Sequence, residues 1–172
     1  GGTFISKLDA MGNFVWAIGS EFPSGLSIEV DSLHAVYLTG SFGGTVDFDP
    51  SANTYNLTSM GSQDIYVCKF DPTGNFAWAR VMGGAGIDQG MDIDIDVFGD
   101  VVIAGYYIGN VDFDPGLGIL NFSSSAASYD MFVSKFDANG NFKWAKSFGG
   151  PNTDLCRTLA SDAVGNIYTP TF

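Results

Sequence analysis

The chain has 172 residues and carries 19 acidic against 7 basic side chains, which gives a formal charge of −12. Only 15% of its residues are charged, against roughly 25% in ordinary soluble domains, and 23 residues are glycine. Because neutralising phosphates requires a basic surface, nucleic acid is excluded as an expected partner. The longest apolar runs are only a few residues, too short for a membrane span.

The amino-terminal residues contain neither a basic region nor a long apolar stretch, so we expect a signal peptide to be absent or already removed. The sequence looks like a processed product or an excerpt of a longer chain. Cys68 and Cys156 are the only cysteines, too few for a disulfide-dense scaffold or a four-cysteine zinc site. We expect both to be free and partly buried, and a bridge between them is the alternative.

Internal repeats organise the chain. One motif occurs three times, as FISKLDAMGNFVWA from Phe4, IYVCKFDPTGNFAWA from Ile65 and MFVSKFDANGNFKWA from Met131. A second motif alternates with it, as LSIEVDSLHAVYLTG from Leu26, MDIDIDVFGDVVIAG from Met91 and TLASDAVGNIYTPT from Thr158. A unit of roughly 65 residues therefore recurs about two and a half to three times. The predicted units are approximately 1–25, 26–90, 91–156 and 157–172, within a single segment over 1–172.

Each full unit is predicted to contain four strands. Apolar, β-branched and aromatic residues alternate with polar ones between Gly, Asn, Asp and Pro, and no stretch has helical periodicity. The pattern Asp-x-x-Gly-Asn joins strand pairs and is typical of a tight hairpin whose Asp caps the turn and whose Gly is left-handed. His34, the only histidine, stands at the Gly position of one copy. We interpret it as a turn residue, because His is enriched at positive φ, and not as a catalytic base.

Four-stranded units of this period predict an all-β fold, either a β-propeller or a linear β array. The combination S-K-F-D-x-x-G-N-F-x-W-A, then G-G, then x-I-x-V-D-x-x-G-N-V-Y-x-x-G resembles the bacterial β-propeller repeat called SBBP, named for seven-bladed β-propellers. The resemblance covers nearly the whole chain. It implies propeller blades in large secreted or cell-surface bacterial proteins, where such repeats act as scaffolds or interaction modules.

Under this interpretation, the first strand of each blade lies near Ser27–Val30, Asp92–Ile95 and Thr158–Ser161. On the outer strand, the aromatic pairs are predicted to share one face and to pack against the next blade; they are Phe14 and Trp16, Phe76 and Trp78, and Phe142 and Trp144. Pro170 falls inside the second strand of the final copy, where proline removes a ladder donor, and marks an edge, a truncation or the end of the array. With about three blades at most, further blades or several copies are needed to form a propeller of roughly four to eight.

Two groups of carboxylates are candidate calcium ligands, because calcium prefers oxygen. Asp47 and Asp49, and equally Asp112 and Asp114, belong to the repeated motif VDFDP, for which a structural turn is the competing interpretation. Glu29, Asp92 and Asp94 are predicted to line an acidic channel near the blade axis and to hold a cation or a basic partner. In the alternative, these side chains simply point into a water-filled channel.

The residues favour a non-catalytic, extracellular or cell-surface scaffold, adhesive or protein-interaction module. A calcium-dependent carbohydrate-binding propeller is the second interpretation, and part of a propeller glycosidase or lyase is the third. No catalytic residue and no cofactor is assigned, and calcium is the only candidate ligand ion. The expected partners are other blades or copies of the same protein, or a surface protein or glycan.

Overall fold

The computed structural model describes residues 3–125 and 128–170. These residues form strands and connecting turns without any helix, which confirms the predicted all-β class. In chain order the strands are β1 Thr3–Leu8, β2 Phe14–Phe22, β3 Ser24–Val30, β4 Val36–Phe42, β5 Thr45–Asp47, β6 Asn56–Thr58, β7 Asp64–Phe70, β8 Phe76–Gly84, β9 Gln89–Ile95, β10 Val101–Tyr107, β11 Asn110–Asp112, β12 Asn121–Ser123, β13 Asp130–Phe136, β14 Phe142–Phe148, β15 Ala160–Ser161 and β16 Ile167–Tyr168.

The strands form two complete propeller-like blades and two half blades. In the complete blades, β3, β4, β7 and β8 pair antiparallel in that order, and so do β9, β10, β13 and β14. Among the described residues, the half blades are the hairpins β1–β2 and β15–β16. The predicted four-stranded blades are confirmed, although the described strands do not close into a ring. The boundaries proposed for the repeat units stay a prediction.

The blade hairpins have the turn geometry that the Asp-x-x-Gly-Asn pattern predicts. Between β7 and β8, the Gly74 N–H donates to the Asp71 carbonyl at 3.0 Å, and Gly74 has φ 91°. Asp71 Oδ1 accepts from the backbone N–H groups of Thr73 and Asn75. Glycine adopts this left-handed backbone without a Cβ penalty. His34 takes the same place with φ 67°, which confirms its predicted turn role.

A short inserted hairpin separates the second and third strands of each complete blade. The inserts are β5–β6 and β11–β12, and each begins with the VDFDP motif. β11 also pairs with the outer strand of the preceding blade, with Val111 opposite Gly84 and Asp112 opposite Gly83. The preceding sheet thereby becomes six-stranded. The prediction of four strands per unit missed both the hairpin and its docking across the blade junction.

Apolar side chains fill three clusters, and each cluster joins two successive sheets. Neither face of a sheet can be covered by the sheet itself, so each blade depends on its neighbours. The cluster between the first half blade and the second blade includes Ile5, Ile18, Val36, Leu38 and Phe70. The cluster between the two complete blades includes Tyr37, Val67, Trp78, Ile93 and Phe132. The cluster against the last half blade includes Val102, Val133, Cys156 and Leu159.

The predicted shared face of the outer-strand aromatic residues is wrong. Trp78 belongs to the cluster between the complete blades, whereas Phe76 packs against the cluster on the opposite face of its sheet. The pairing of β7 with β8 shifts register at this point. A bulge inserts one extra residue and turns the side chain that follows to the other face. The same shift between β13 and β14 separates Phe142 from Trp144.

At the first two blade junctions, two polar side chains of one blade bind the turn of the next blade. The Trp78 indole Nε1 donates to the Ala138 carbonyl at 3.2 Å, and Lys69 Nζ donates to the same oxygen at 3.1 Å. Both donors thus end on one carbonyl of the β13–β14 turn. The contact is repeated one junction earlier, where the donors are Trp16 at 3.3 Å and Lys7 at 3.2 Å and the acceptor is the Pro72 carbonyl.

The cysteines are both free, as expected, and are more completely buried than expected. Burial raises the pKa of the Cys68 and Cys156 thiols, so neither is a reactive thiolate at neutral pH. Across residues 3–125 and 128–170, no helix is long and apolar enough to cross a bilayer.

Substituting Gly84 by Val is expected to detach the β11–β12 hairpin from the preceding blade. A Cβ at residue 84 would lie on the carbonyl oxygen of Asn110. We expect the free energy of unfolding, measured by urea denaturation, to fall by about 1 to 3 kcal/mol. Gly150 holds the same place in the next blade, and a Cβ there would meet no described atom within 4 Å. Gly150→Val is therefore the control, and equal losses in the two variants would contradict the docking role.

Candidate functional site

The first strands of successive sheets lie side by side and carry the acidic row that the sequence predicts. Glu29 lies on β3, and Asp92 and Asp94 lie on β9. Burial, and then the negative charges of Asp94 and Asp92, raise the pKa of the Glu29 carboxyl. The structure therefore brings the three predicted acids together along one seam between blades.

Asp92 on β9 links β3 to the segment that leads into β15. Its Oδ1 accepts from the Ser27 hydroxyl on β3 at 2.6 Å. Its Oδ2 accepts from the Thr158 hydroxyl at 2.9 Å and from the Leu159 N–H at 2.8 Å, just before β15. Asp94 makes a similar bond, since its Oδ2 accepts from the Ser161 N–H at 2.6 Å. Both carboxylates satisfy donors of neighbouring blades, which is a structural use of charge in a crowded place.

The VDFDP acids close the loops of the inserted hairpins. Asp47 Oδ1 accepts from the N–H groups of Asp49 at 3.0 Å and Tyr55 at 2.7 Å. Asp112 Oδ1 does the same for Asp114 at 3.0 Å and Leu120 at 2.9 Å. The second acid of each motif caps the next turn, Asp49 through the Ser51 N–H and Asp114 through the Gly116 N–H. The turn interpretation thus has direct geometric support.

The predicted calcium ligands fall into separate places in the fold. The inner row and the two VDFDP turns belong to different elements. In the part of the chain that the structure describes, no group of three or more His, Cys, Asp or Glu side chains is arranged to hold a metal ion. Calcium binding at Glu29, Asp92, Asp94 or the VDFDP acids stays a prediction.

Two clefts with equivalent linings lie beside the VDFDP turns. The first has a volume of about 490 Å³ and is bounded by Ala17–Gly19 of β2, Asp49–Ser51 and the turn Gly74–Phe76. The second, of about 440 Å³, is bounded by Ala79–Val81 of β8, Asp114–Gly116 and the turn Gly140–Phe142. Each cleft therefore presents a carboxylate, an amide and an aromatic ring at a blade junction. The sequence repeats held the signal for this site, but only the fold brings its three segments together.

Four acids at further repeated positions, three of them buried, were missed from the sequence. Asp64 and Asp130 begin the third strands, and Asp88 and Asp154 follow the outer strands. Burial, and then the neighbouring Asp64, raise the pKa of Asp88 to about 6, although its carboxylate accepts from the N–H groups of Gly84 and Ile108. Burial also raises the pKa of Asp64 and Asp130. Their recurrence at about 66-residue spacing was the available signal.

The blades, their repeated junctions and the two equivalent clefts define a β-repeat protein with propeller-like blades. No family model matches the chain. The chain is 27% identical over 186 residues to the uncharacterized WD repeat-containing protein L264 of Acanthamoeba polyphaga mimivirus, an alignment that covers 97% of the chain and 13% of that protein.

A second relative is the regulatory protein FlaEY of Caulobacter vibrioides. The chain is 28% identical to it over 134 residues, which cover 78% of the chain and 14% of the relative. The chain thus spans about one seventh of the length of each curated relative that it matches. The likeness to a WD repeat-containing protein agrees with the repeated β architecture, and the comparisons identify no SBBP family.

Replacing Asp92 by Ala is expected to loosen the seam between the blades. Three described donors outside its own strand would lose their acceptor, namely the Ser27 hydroxyl, the Thr158 hydroxyl and the Leu159 N–H. We expect a loss of about 2 to 3 kcal/mol in the free energy of unfolding, measured by urea denaturation. Glu29→Gln is the control, and it should be neutral or stabilising because the fold already disfavours the Glu29 charge. A neutral Asp92→Ala variant would contradict the structural role.

Stability is expected to fall as the pH rises from about 4 to 6. Because the pKa of Asp88 is raised from 3.8 to about 6, the folded chain binds more protons than the unfolded chain in this range. This contribution is fully present below the unfolded pKa and is lost as the pH passes the folded one, a change on the order of 2 kcal/mol.

The measurement for this pH dependence is urea denaturation at several pH values. Asp162, whose pKa is lowered to about 2, has the opposite pH dependence, because its stabilisation is fully present above the unfolded pKa and is lost in more acidic solution. The trend from Asp88 is therefore clearest above about pH 5. Asp88→Asn should flatten the profile. A free energy of unfolding that rises from about pH 5 to 6, or an unchanged slope in Asp88→Asn, would contradict the assignment.

Proposed function

We propose that the chain is a non-catalytic β-propeller scaffold that binds other proteins through its open blade faces. The observation that carries the proposal is a difference in exposure. An apolar sheet face between the two complete blades is buried, whereas the equivalent face of the last complete blade is exposed. Where two blades meet, Met82 on β8 is fully buried, whereas Phe148, at the same place on β14, is 52% exposed. In repeat proteins, an apolar sheet face of this kind is normally buried against a neighbouring unit.

The first half blade exposes a second apolar surface. Phe14 on the outer strand β2 is 69% exposed, and its cross-strand partner Leu8 on β1 is also exposed. Contiguous apolar surface of this sort marks protein interaction sites. The polar groups of the molecule offer less for chemistry, since the sole histidine is a turn residue and the described turn acids cap backbone N–H groups.

The cellular setting belongs to the same proposal. The resemblance of the repeat motifs to SBBP repeats supports a secreted or cell-surface bacterial protein in which the chain acts as an adhesive or interaction module. One relative carries the name of a WD repeat-containing protein and the other that of a regulatory protein, and neither name denotes an enzyme.

A carbohydrate-binding propeller is the second candidate, and the repeated clefts favour it. Each cleft combines the carboxylate of Asp49 or Asp114 with the ring of Phe76 or Phe142. Carboxylates and aromatic faces together suit hydroxyl-rich, partly apolar ligands such as sugars. Calcium dependence of such binding would require the VDFDP acids to serve as ligands in addition to capping their turns.

The test places a photo-crosslinking amino acid at the exposed apolar face. In the native host, Phe14→p-benzoylphenylalanine is expected to give one discrete protein adduct by mass spectrometry, because this face is open for a partner. Leu117→p-benzoylphenylalanine is the matched control, since Leu117 is fully exposed on the insert loop and should give none.

Two crosslinking results would contradict the scaffold proposal, and glycan binding would favour the second candidate. No adduct at residue 14, or equal adducts at both residues, would overturn the scaffold proposal. Saturable glycan-array binding that is lost in Asp114→Asn but kept in Asp162→Asn, a turn acid outside both clefts, would favour the carbohydrate-binding propeller. Loss of that binding with a chelator would make it calcium-dependent.

A further inference from the structure

The second cleft, which lies between the two complete blades, contains an arginine that the first cleft lacks. Its lining includes Arg80 together with Asp114, Asn141 and Phe142. Arg80 is the fifth residue of β8, and the fifth residue of β2 is Ile18, which lines the first cleft. The two clefts therefore share a carboxylate, an amide and an aromatic ring, but only the second one holds a positive charge.

The fold holds the Arg80 guanidinium in one place. Its Nε donates to the Gly140 carbonyl at 2.9 Å, and its Nη1 donates to the Ala79 carbonyl at 2.8 Å. Its central carbon lies 5.5 Å from the centre of the Trp78 ring. Among the described residues, these contacts leave the other N–H groups of the guanidinium, including those of Nη2, for a further acceptor. An arginine that is already oriented loses little freedom when it binds a carboxylate.

Arg80 has no ion-pair partner within the described part of the chain. The ion pairs formed by those residues all involve lysines. Asp114, the acid of the same cleft, instead accepts from the Gly116 N–H at 2.8 Å. Arg80 thus stays half-buried and without a paired carboxylate in a chain whose formal charge is −12. The guanidinium is therefore available to a carboxylate from outside the chain.

We propose that the second cleft binds a uronic acid residue of an acidic polysaccharide. Arg80 would bind the sugar carboxylate, and Phe142 would pack on the apolar face of the sugar ring. Asp114 and Asn141 would accept hydrogen bonds from the sugar hydroxyls. This inference rests on the carbohydrate-binding candidate of the proposed function, and it names the cleft and the class of sugar.

The mixed charge of the cleft favours such a sugar over a simple anion or an acidic peptide. A carboxylate without hydroxyl groups would be repelled by Asp114 and would offer that acid nothing to accept. A uronic acid carries both the carboxylate that Arg80 needs and the hydroxyl donors that Asp114 needs. The cleft also has a second aromatic wall, because the Tyr55 hydroxyl donates to the Ala79 carbonyl at 3.3 Å, the same oxygen that Arg80 binds. Its volume of about 440 Å³ lies in the range of small-molecule sites.

Isothermal titration calorimetry with tetrasaccharides of galacturonate and of glucuronate tests the proposal. The fully methyl-esterified galacturonate tetrasaccharide is the neutral counterpart, because it differs only in its charge. We expect at least one acidic tetrasaccharide to bind, and we expect the ester to bind at least about tenfold more weakly. Added EDTA excludes calcium bridging, and higher salt should weaken the binding because the ion pair is partly exposed.

Replacing Arg80 by Ile gives the second cleft the residue that the first cleft has at this place, so the blade should tolerate the change. Arg80→Ile should weaken binding of the acidic tetrasaccharide by at least about tenfold and leave binding of the ester unchanged. Arg157→Ile is the matched control, since it removes the same charge from an exposed residue that lines neither cleft, and it should change nothing. Circular dichroism should show both variants folded.

Nuclear magnetic resonance locates the bound sugar. The acidic tetrasaccharide should shift the backbone amide signals of Gly116 and Asn141, which line the second cleft. The amide signals of Ser51 and Asn75, which line the first cleft, should stay in place. Equal shifts at the two clefts would contradict the role of Arg80.

Three further results would overturn the inference. They are the absence of binding by both acidic tetrasaccharides, equal losses in Arg80→Ile and Arg157→Ile, and equally tight binding of a hexaglutamate peptide, which would make the cleft a site for acidic peptides. If the neutral ester binds as well as the acid and independently of Arg80, the carbohydrate-binding candidate stands and the inference fails. If no sugar binds, both fail, while the scaffold proposal is decided separately by the crosslinker at Phe14.

Discussion

The packing of one tryptophan against the neighbouring turn is the contact on which the blade arrangement depends. Trp78 is nearly buried, donates to the Ala138 carbonyl, and lies under the Arg80 guanidinium at 5.5 Å. Gly140 of the same turn has φ 76°, and a Cβ there would come within 2.8 Å of the indole. The glycine therefore serves both the turn and the close approach of the indole. The Asp-x-x-Gly-Asn turn and the tryptophan that packs on it therefore form one structural unit, the blade junction.

The acidity of the chain follows from the same construction. Turn aspartates such as Asp137 accept the N–H groups of Asn139 and Asn141, and these bonds help to lower the pKa of the Asp137 carboxyl. Asp92 performs a comparable task between strands. Lysines, in contrast, are few, and Lys135 is committed to Asp96 and Asp100 inside a blade. Much of the formal charge of −12 is thus used in local hydrogen bonds.

The sequence predicted the features that depend on local pattern. Alternation and turn chemistry were sufficient for the all-β blades and for the unusual backbone of His34, because both are decided within a few residues. The face predicted for Phe76 was wrong because a bulge in the β7–β8 pairing interrupts the alternation. A bulge depends on the pairing of two strands, so it is hard to recognise from the sequence of one strand. The docking of Val111 on Gly84 was missed because it joins residues of different blades. The clefts were missed for the same reason, although each of their three segments is repeated.

The inserted hairpin shows why equivalent positions in successive repeats tolerate different residues. A Cβ at Gly84 would collide with the Asn110 backbone of the β11–β12 hairpin. The Asp88 carboxylate accepts from the Gly84 N–H and from the N–H of Ile108, which lies just before that hairpin. Gly150 and Asp154 repeat this pair, and the Gly150 N–H again donates to the carboxylate at 3.1 Å, but without a described hairpin above them. A glycine whose Cβ would have open space is not required by the blade that contains it. At Gly84 the requirement comes from the neighbouring Asn110 carbonyl, so equivalent glycines of successive blades tolerate different substitutions.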